Sequence, residues 1–242
     1  MILSAHQPNY LPWLGLFEKI IRSDLFVVMD TVQYSERCFL NRNKIRTPDS
    51  WTWLSVPVIY TGKESNLRQI KINYEVDWGM KHWKSITYNY KKSKCFKKYE
   101  DFLYHYFSFE WDNLVDLNMS FINFVLDELN INTKIEYSSN NPEIQGKKSD
   151  LILSMCKAYN TALYYSGANG INYLKIKDFD EANIPIYYQN YKFPYYAQCQ
   201  KGFVPSMSIL DLLLNHGEDS KEILLKSQYP IIGKLKNKEV II

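Results

Sequence analysis

The sequence holds only 9 glycines and 9 prolines in 242 positions, which excludes a collagen-like or low-complexity chain. Its four cysteines, Cys38, Cys95, Cys156 and Cys199, are scattered with no CxxC spacing, so neither a disulfide framework nor a zinc knuckle is implied. Long apolar runs are missing. Stretches such as Leu25–Met29 fall far short of the ~18 residues needed to span a bilayer. Met1–Gln7 has neither the basic segment nor the apolar core of a secretion leader. Charge of one sign is also lacking: 29 Lys and Arg against 26 Asp and Glu leave +3, too little to imply nucleic acid. These absences point to a cytoplasmic protein with reduced thiols and no membrane insertion. No repeat and no Gly/Ser/Pro linker divides the chain.

What is present is ordinary for a globular domain: 46% hydrophobic and 23% charged residues, enough apolar surface to offset chain entropy. Aromatics reach 16%, with 20 tyrosines. An AT-rich coding bias and an aromatic wall for stacking sugars or bases both account for this.

The periodicity alternates between strand and helix. Ile2–Ala5 reads as a strand and His6–Asn9 as a polar turn. From Pro12, apolar positions 13, 14, 17, 20 and 21 recur at helical spacing. Leu25–Met29 is a continuous apolar run suited to a strand buried on both faces. Trp51–Ile59 and Ile70–Ile72 read as strands. Asp77–Tyr90, Lys97–Phe107 and Asp112–Leu129 fit helices, which makes 77–130 a helical section. Thr133–Tyr137, Ala162–Tyr165 and Ile184–Gln189 read as strands. Ser149-Asp150 caps a helix to Tyr159. Pro205–Asn215 includes a helix closed at Gly217, and the tail from Glu218 is helical before losing its pattern. The expected class is α/β, a mostly parallel sheet with flanking helices in Rossmann-like layering.

Candidate chemistry follows from this layout. His6 and Gln7 follow the first strand, where ligands bind in open α/β sheets. An imidazole there serves as a general base or as a structural element of the turn. Asp30 ends the second strand, with Gln33 close behind. Its carboxylate either orients His6, holds an ammonium, or starts a turn. Asn41-Arg42-Asn43-Lys44 reads as a donor-rich loop able to grip a phosphate. Lys81-His82 sits early in a helix beside Trp78 and Trp83. Ser166-Gly167-Ala168-Asn169-Gly170 leaves a strand as a turn or an anion nest. Gln189, Tyr191 and Gln198 belong to a polar-aromatic string of the type that contacts sugars. No GxSxG elbow, HExxH or metal-ligand spacing occurs, so neither covalent nor metal chemistry has a motif.

The decapeptide His6-Gln7-Pro8-Asn9-Tyr10-Leu11-Pro12-Trp13-Leu14-Gly15, followed by Phe17-Glu18-Lys19-Ile20, resembles the opening of the WbqC-like family. Further blocks agree in order. They include Asp30 with Val32-Gln33, Asn41-Arg42-Asn43, Trp53-Leu54, Lys81-His82, Ser166-Gly167 with Gly170, Gln189 with Tyr191 and Gln198, and Ser208–Leu213. The resemblance covers nearly all of residues 1–242 as one domain, with 77–130 as a helical insertion or cap. It implies bacterial surface-polysaccharide work, with transfer of a glycyl or other acyl group to the amine of a nucleotide-linked amino sugar. The implied donor is an aminoacyl-adenylate, a carrier-protein thioester or an aminoacyl-tRNA, the last being the only route for a nucleic acid. No further cofactor is implied.

Roles at the matched positions come from chemistry. His6 is the base, with Asp30 orienting it or holding the ammonium. Backbone N–H groups around Gly167–Gly170, or the amides of Asn41 and Asn43, meet the oxyanion. Arg42 and Lys81, and less so His82, hold phosphate. Gln189, Tyr191 and Gln198 read the sugar, and Gln7, Asn9, Gln33 and Ser166 join the binding set. Two rivals stand beside this reading. One is an ATP-linked nucleotidyl- or ligase-type enzyme, although Trp13 and Leu16 occupy the positions an HxGH motif gives to histidine. The other is a non-catalytic sugar-nucleotide binder.

Overall fold

The computed structural model describes residues 1–60 and 66–226, with the strand backbones of 232–235 and 238–241. The opening unit is β1 (Ile2–His6), α1 (Leu14–Ile21) and β2 (Leu25–Val28). Two small hairpins follow: β3 (Arg42–Arg46) with β4 (Trp51–Ser55), and β5 (Val58–Ile59) with β6 (Lys71–Ile72). Three successive helices, α2 (Trp78–Tyr90), α3 (Phe96–Ser108) and α4 (Leu114–Glu128), lead to β7 (Lys134–Tyr137). Alternation then resumes with α5 (Ser149–Ala158), β8 (Leu163–Ser166), α6 (Ile176–Glu181) and β9 (Ile186–Tyr188). The chain ends in α7 (Ile209–His216), α8 (Ser220–Lys226), β10 (Ile232–Leu235) and β11 (Lys238–Ile241).

The main sheet has seven strands in the order β11-β10-β9-β8-β1-β2-β7. From β7 to β9 every pairing is parallel, whereas β10 and β11 add an antiparallel edge. This is the expected α/β class with a mostly parallel sheet and flanking helices. Its centre is β1. The crossover through α1 carries the chain to β2 on one side of β1, and β8 later fills the other side. The connections therefore diverge between β1 and β8, which opens a crevice beyond the carboxyl ends of those strands.

Period-two burial explains why the sheet is covered on both faces. Leu3, Ala5, Leu25 and Val27 share one face with Leu151, Met155 and Phe179 from α5 and α6. Phe26 and Val28 face the other way, into a core with Leu14, Phe17 and Ile20 of α1 and Ile86, Leu103 and Phe121 of α2–α4. The three-helix section thus covers one face of the sheet.

Four expectations are corrected. Asn41–Lys44 is not a loop, because Arg42–Arg46 pairs antiparallel with Trp51–Ser55. α6 was not anticipated; its single buried residue, Phe179, gives too weak a periodicity. Ser149 does not cap α5. Lys148 stands at that position with φ +53°, and the Ser149 hydroxyl accepts the Lys175 N–H instead. The tail beyond α8 carries no clear pattern in its sequence, yet 232–235 lies antiparallel to β9.

Candidate functional site

The turn between β1 and α1 carries the first site residue, and distant elements hold its backbone. Asn43 Nδ2 donates to the carbonyls of Leu11 (2.7 Å) and Tyr10 (3.3 Å). Asn118 Nδ2 donates to the carbonyls of Pro8 and Leu40, each at 2.8 Å. The Ile209 N–H reaches the Pro12 carbonyl at 2.8 Å. These donors fix a turn in which Leu11 sits at φ +40°, a strained region for a branched side chain. Gly15 completes it: a Cβ there would stand 2.0 Å from the Trp13 ring.

A cavity of about 470 Å³ opens at the ends of β1 and β8, lined by His6, Gln7, Trp13, Lys19, the Gly167–Gly170 loop, Tyr173 and Gln189. His6 is half-buried. Its Nδ1 lies 2.8 Å from the Gln7 carbonyl, which can only accept, so Nδ1 carries the proton and Nε2 the lone pair. Burial, aided by the charge of Lys19 and opposed by the Gln7 carbonyl, pulls the imidazole down to about 4. The ring is neutral near pH 7.

Lys19 is 2% exposed, and its Nζ donates to the Ala5 carbonyl at 2.7 Å. Burial lowers its ammonium to about 7, against the raising effect of Glu18. The Glu18 carboxylate is engaged elsewhere, by Arg22, the Tyr165 hydroxyl (3.2 Å) and Gln189 Nε2 (2.6 Å). Gly167 leaves the approach to Lys19 clear, since a Cβ there would lie 3.8 Å from Nζ. Gly170 has a packing role: its Cβ would fall 2.0 Å from the Ser166 hydroxyl.

A second cavity, of about 760 Å³, adjoins the first through shared walls at Gln7, Met29 and Tyr173. Its other walls include Thr31, Gln33, Asn66 and the segment Gln145-Gly146-Lys147-Lys148. Gly146 (φ +99°) and Lys148 (φ +53°) bend that segment into the start of α5, so two exposed ammonium groups stand at the mouth.

Asp30 ends β2 at the same rim and is fully buried. Its oxygens accept from Ser138 Oγ (2.7 Å), the Ser139 N–H (3.0 Å), Ser139 Oγ (2.7 Å) and Arg68 Nη1 (2.9 Å). Burial pushes the carboxyl up, but the donors from Ser139, Ser138 and Arg68 outweigh it and hold the group below its usual range.

The structure thus brings His6, Gln7, Gly167, Gly170 and Gln189 to one cavity, with Ser166 buried directly behind. Gln33 lines the adjoining cavity, and Asn9 is buried within the β1–α1 turn. Tyr191 packs edge-on against Trp13, a wall of the smaller cavity, with ring centroids 5.8 Å apart. Asp30 shares the rim with His6, but its hydrogen bonds run to 138–139 and Arg68 rather than to the imidazole. The remaining candidates lie elsewhere. Asn41 Nδ2 donates to the Val56 carbonyl at 2.9 Å, and Asn43 clamps the turn. Arg42 lies 4.4 Å over the Trp53 ring. Lys81 is exposed on α2 and lines neither cavity. His82 is sunk among Trp78, Phe107 and Tyr10, whose hydroxyl lies 2.8 Å from Nδ1. Gln198 belongs to a buried network, donating to Asp211 at 2.8 Å and accepting from Arg46 at 3.3 Å.

Nothing in the residue pattern singles out Lys147, Lys148 or Arg68 as site residues, and little singles out Lys19. Lys19 left one signal: Glu18-Lys19 is a charged pair enclosed by apolar positions in an eight-residue helix buried from Leu14 to Ile20. Among the described residues no helix is long and apolar enough to cross a membrane.

A family model described as the WbqC-like protein family matches residues 7–223. The chain is also similar to the uncharacterized protein Rv1507c of Mycobacterium tuberculosis, at 32% identity over 221 residues, which is 90% of this chain and 95% of that one. No solved structure matches. The family match takes in the turn from Gln7 to α1, the lining of the larger cavity and α7, so the chain belongs to the WbqC-like protein family.

Proposed function

We propose that the protein transfers an aminoacyl or other acyl group to the amine of a nucleotide-activated amino sugar during bacterial surface-polysaccharide assembly. The observation that carries this reading is a pair of adjoining cavities, the smaller at the ends of β1 and β8 and the larger beside it, between the segment after β2 and the start of α5. One holds a neutral imidazole, and the other has lysines at its mouth. Both volumes fall within the range of small-molecule sites, roughly 300–1,000 Å³. The larger cavity, with Lys147 and Lys148, suits a nucleoside diphosphate. The smaller suits the reacting amine and acyl carbon.

The amine attacks the acyl carbon and a C–N bond forms. The carbonyl electron pair moves to oxygen and returns as the bond to the donor's leaving group breaks, whether that group is phosphoryl, thiolate or ribose hydroxyl. The nitrogen becomes more acidic as it bonds to carbon, so a weak base suffices to take its proton. His6 Nε2 supplies that base, and an imidazole at about 4 stays unprotonated across the physiological range. Backbone N–H groups of the Gly167–Gly170 loop meet the developing oxyanion. Gln189, which donates to the Gly15 carbonyl and Glu18, each at 2.6 Å, fixes the wall against α1.

The test is mass spectrometry of the surface glycan from a deletion strain complemented with wild type or His6→Ala. The expected result is a full-length glycan lacking one acyl-sized substituent on an amino sugar, restored by wild type and not by His6→Ala. A glycan truncated before that sugar points instead to a glycosyl or nucleotidyl step, and full rescue by His6→Ala removes the base from this reading.

A further inference from the structure

Lys19 poses a charge problem that the fold leaves unsolved. The side chain is almost wholly buried, and its single described acceptor is the neutral carbonyl of Ala5. Among the described residues no carboxylate lies within ion-pair distance of Nζ. The neighbouring Glu18 is committed to Arg22, Tyr165 and Gln189. A buried ammonium without a counter-charge is costly, and this one has N–H groups beyond the one given to Ala5. It lines the 470 Å³ cavity, and the bare backbone at Gly167 keeps the way to it open.

We propose that Lys19 seats an oxyanion of the bound ligand, a carboxylate or a phosphoryl group, in the smaller cavity, and that this group supplies the counter-charge absent from the fold. Binding is then coupled to a proton. The titratable groups beside Lys19 are Glu18 on α1 and His6 on β1, with Tyr164 of β8 and Tyr173 on the wall of the same cavity. None of these contributes a free negative charge near pH 7: Glu18 is engaged, His6 is neutral, and burial raises the Tyr164 and Tyr173 phenols. An anion arriving beside Nζ draws Lys19 into its charged form. At pH 8 a lysine at about 7 is mostly neutral, so the ion brings nearly one proton with it. His6, at about 4, takes up none at that pH.

Titration calorimetry with inorganic phosphate and with acetate, at pH 8 in two buffers of different ionisation enthalpy, reads this directly. The readout is binding of a non-reacting ion, so it fails or succeeds independently of the acyl-transfer reading. Wild type is expected to take up most of a proton per bound ion. Lys19→Met should weaken binding at least tenfold, while Lys81→Ala, exposed on α2 and outside both cavities, keeps the uptake. Stronger phosphate binding assigns a phosphoryl group, and stronger acetate binding a carboxylate. Lack of saturable binding of either ion to wild type, binding without proton uptake, or undiminished binding by Lys19→Met (or Lys19→Gln, should Met fold poorly) overturns the proposal.

Discussion

His6 and His82 titrate alike and live differently. Burial pulls both imidazoles down to about 4. His6 stands at the end of β1 on the wall of a cavity. His82 stands in the first turns of α2, enclosed by Trp78, Phe107 and Tyr10. A depressed imidazole therefore does not mark a functional site by itself. Access decides: His6 lines an open cavity, whereas His82 supports, through the Tyr10 hydroxyl, the turn that carries His6. One histidine holds the position and the other occupies it.

Stability measurements on the two histidines separate these roles. His82→Ala removes a packed ring and strands the Tyr10 hydroxyl, so it should cost about 3 kcal/mol in urea unfolding. His6→Ala, at a cavity wall, should cost under about 1 kcal/mol while abolishing glycan modification. Equal losses would break the comparison. The pH dependence sharpens it. The folded-state value lies below the unfolded one near 6.5, so the unfolded chain binds the proton first. Stability is full above pH 6.5 and declines as pH falls towards 4. The decline is on the order of 3 kcal/mol for a fully buried imidazole, and His82→Phe should remove that share of it.

Asp30 gives the next largest effect. With four donors on a fully buried carboxylate, Asp30→Ala should cost about 2–3 kcal/mol by thermal or urea melts. Most of this comes from stranding the buried Ser138 hydroxyl rather than from the exposed Ser139 or the half-exposed Arg68. Its lowered carboxyl stabilises the fold above the unfolded value near 4, and that stability is lost as pH falls through the folded value. Asp30→Asn should therefore flatten the acid limb below pH 4. Loss of glycan modification without loss of stability would return Asp30 to the chemistry expected of it.

The architecture was legible because alternation is a local signal. Leu25–Val28 is apolar throughout and lies in the parallel sheet, buried on both faces, and Asp112–Leu129 contains α4 almost to the residue. The rim was half legible. His6, Gln7 and Gly167 follow strands, and strand ends in a parallel sheet share an edge. What stayed hidden depends on side-chain direction. Asn43 and His82 stand in matched blocks like site residues, yet both turn toward the β1–α1 turn, Asn43 to its backbone carbonyls and His82 to the Tyr10 hydroxyl. Polar residues that brace a turn and polar residues that meet a ligand look identical in one dimension. Lys19 was hidden for the converse reason: a lysine in a helix is ordinarily on its solvated face.

Lys19 separates the cavity from the scaffold by a smaller measure. Its folded value, about 7, lies below the unfolded value near 10.4, so the unfolded chain holds the proton that the folded chain gives up. Stability should rise from pH 7 to pH 9 by on the order of 2 kcal/mol, read by urea melts. Lys19→Met should lose that slope and be at least as stable as wild type at pH 7. A destabilised Lys19→Met would make the lysine a brace for the Ala5 carbonyl, like Asn43, and move it to the scaffold side.

The smallest effect belongs to the β3–β4 hairpin, whose cations were expected to grip phosphate. Arg42 lies 4.4 Å over Trp53 and Lys44 4.0 Å over Trp51, so both charges rest on ring faces. Such partly exposed cation–aromatic contacts contribute about 0.5–1 kcal/mol. Arg42→Ala should lower stability by about that much and leave pyrophosphate affinity unchanged, whereas Lys147→Ala/Lys148→Ala should leave stability unchanged and weaken pyrophosphate binding. Neither variant is buried, so folding does not confuse the readout. If Arg42→Ala weakens pyrophosphate binding and the lysine pair does not, the diphosphate lies along the hairpin rather than at the start of α5. The larger cavity then loses its assigned occupant.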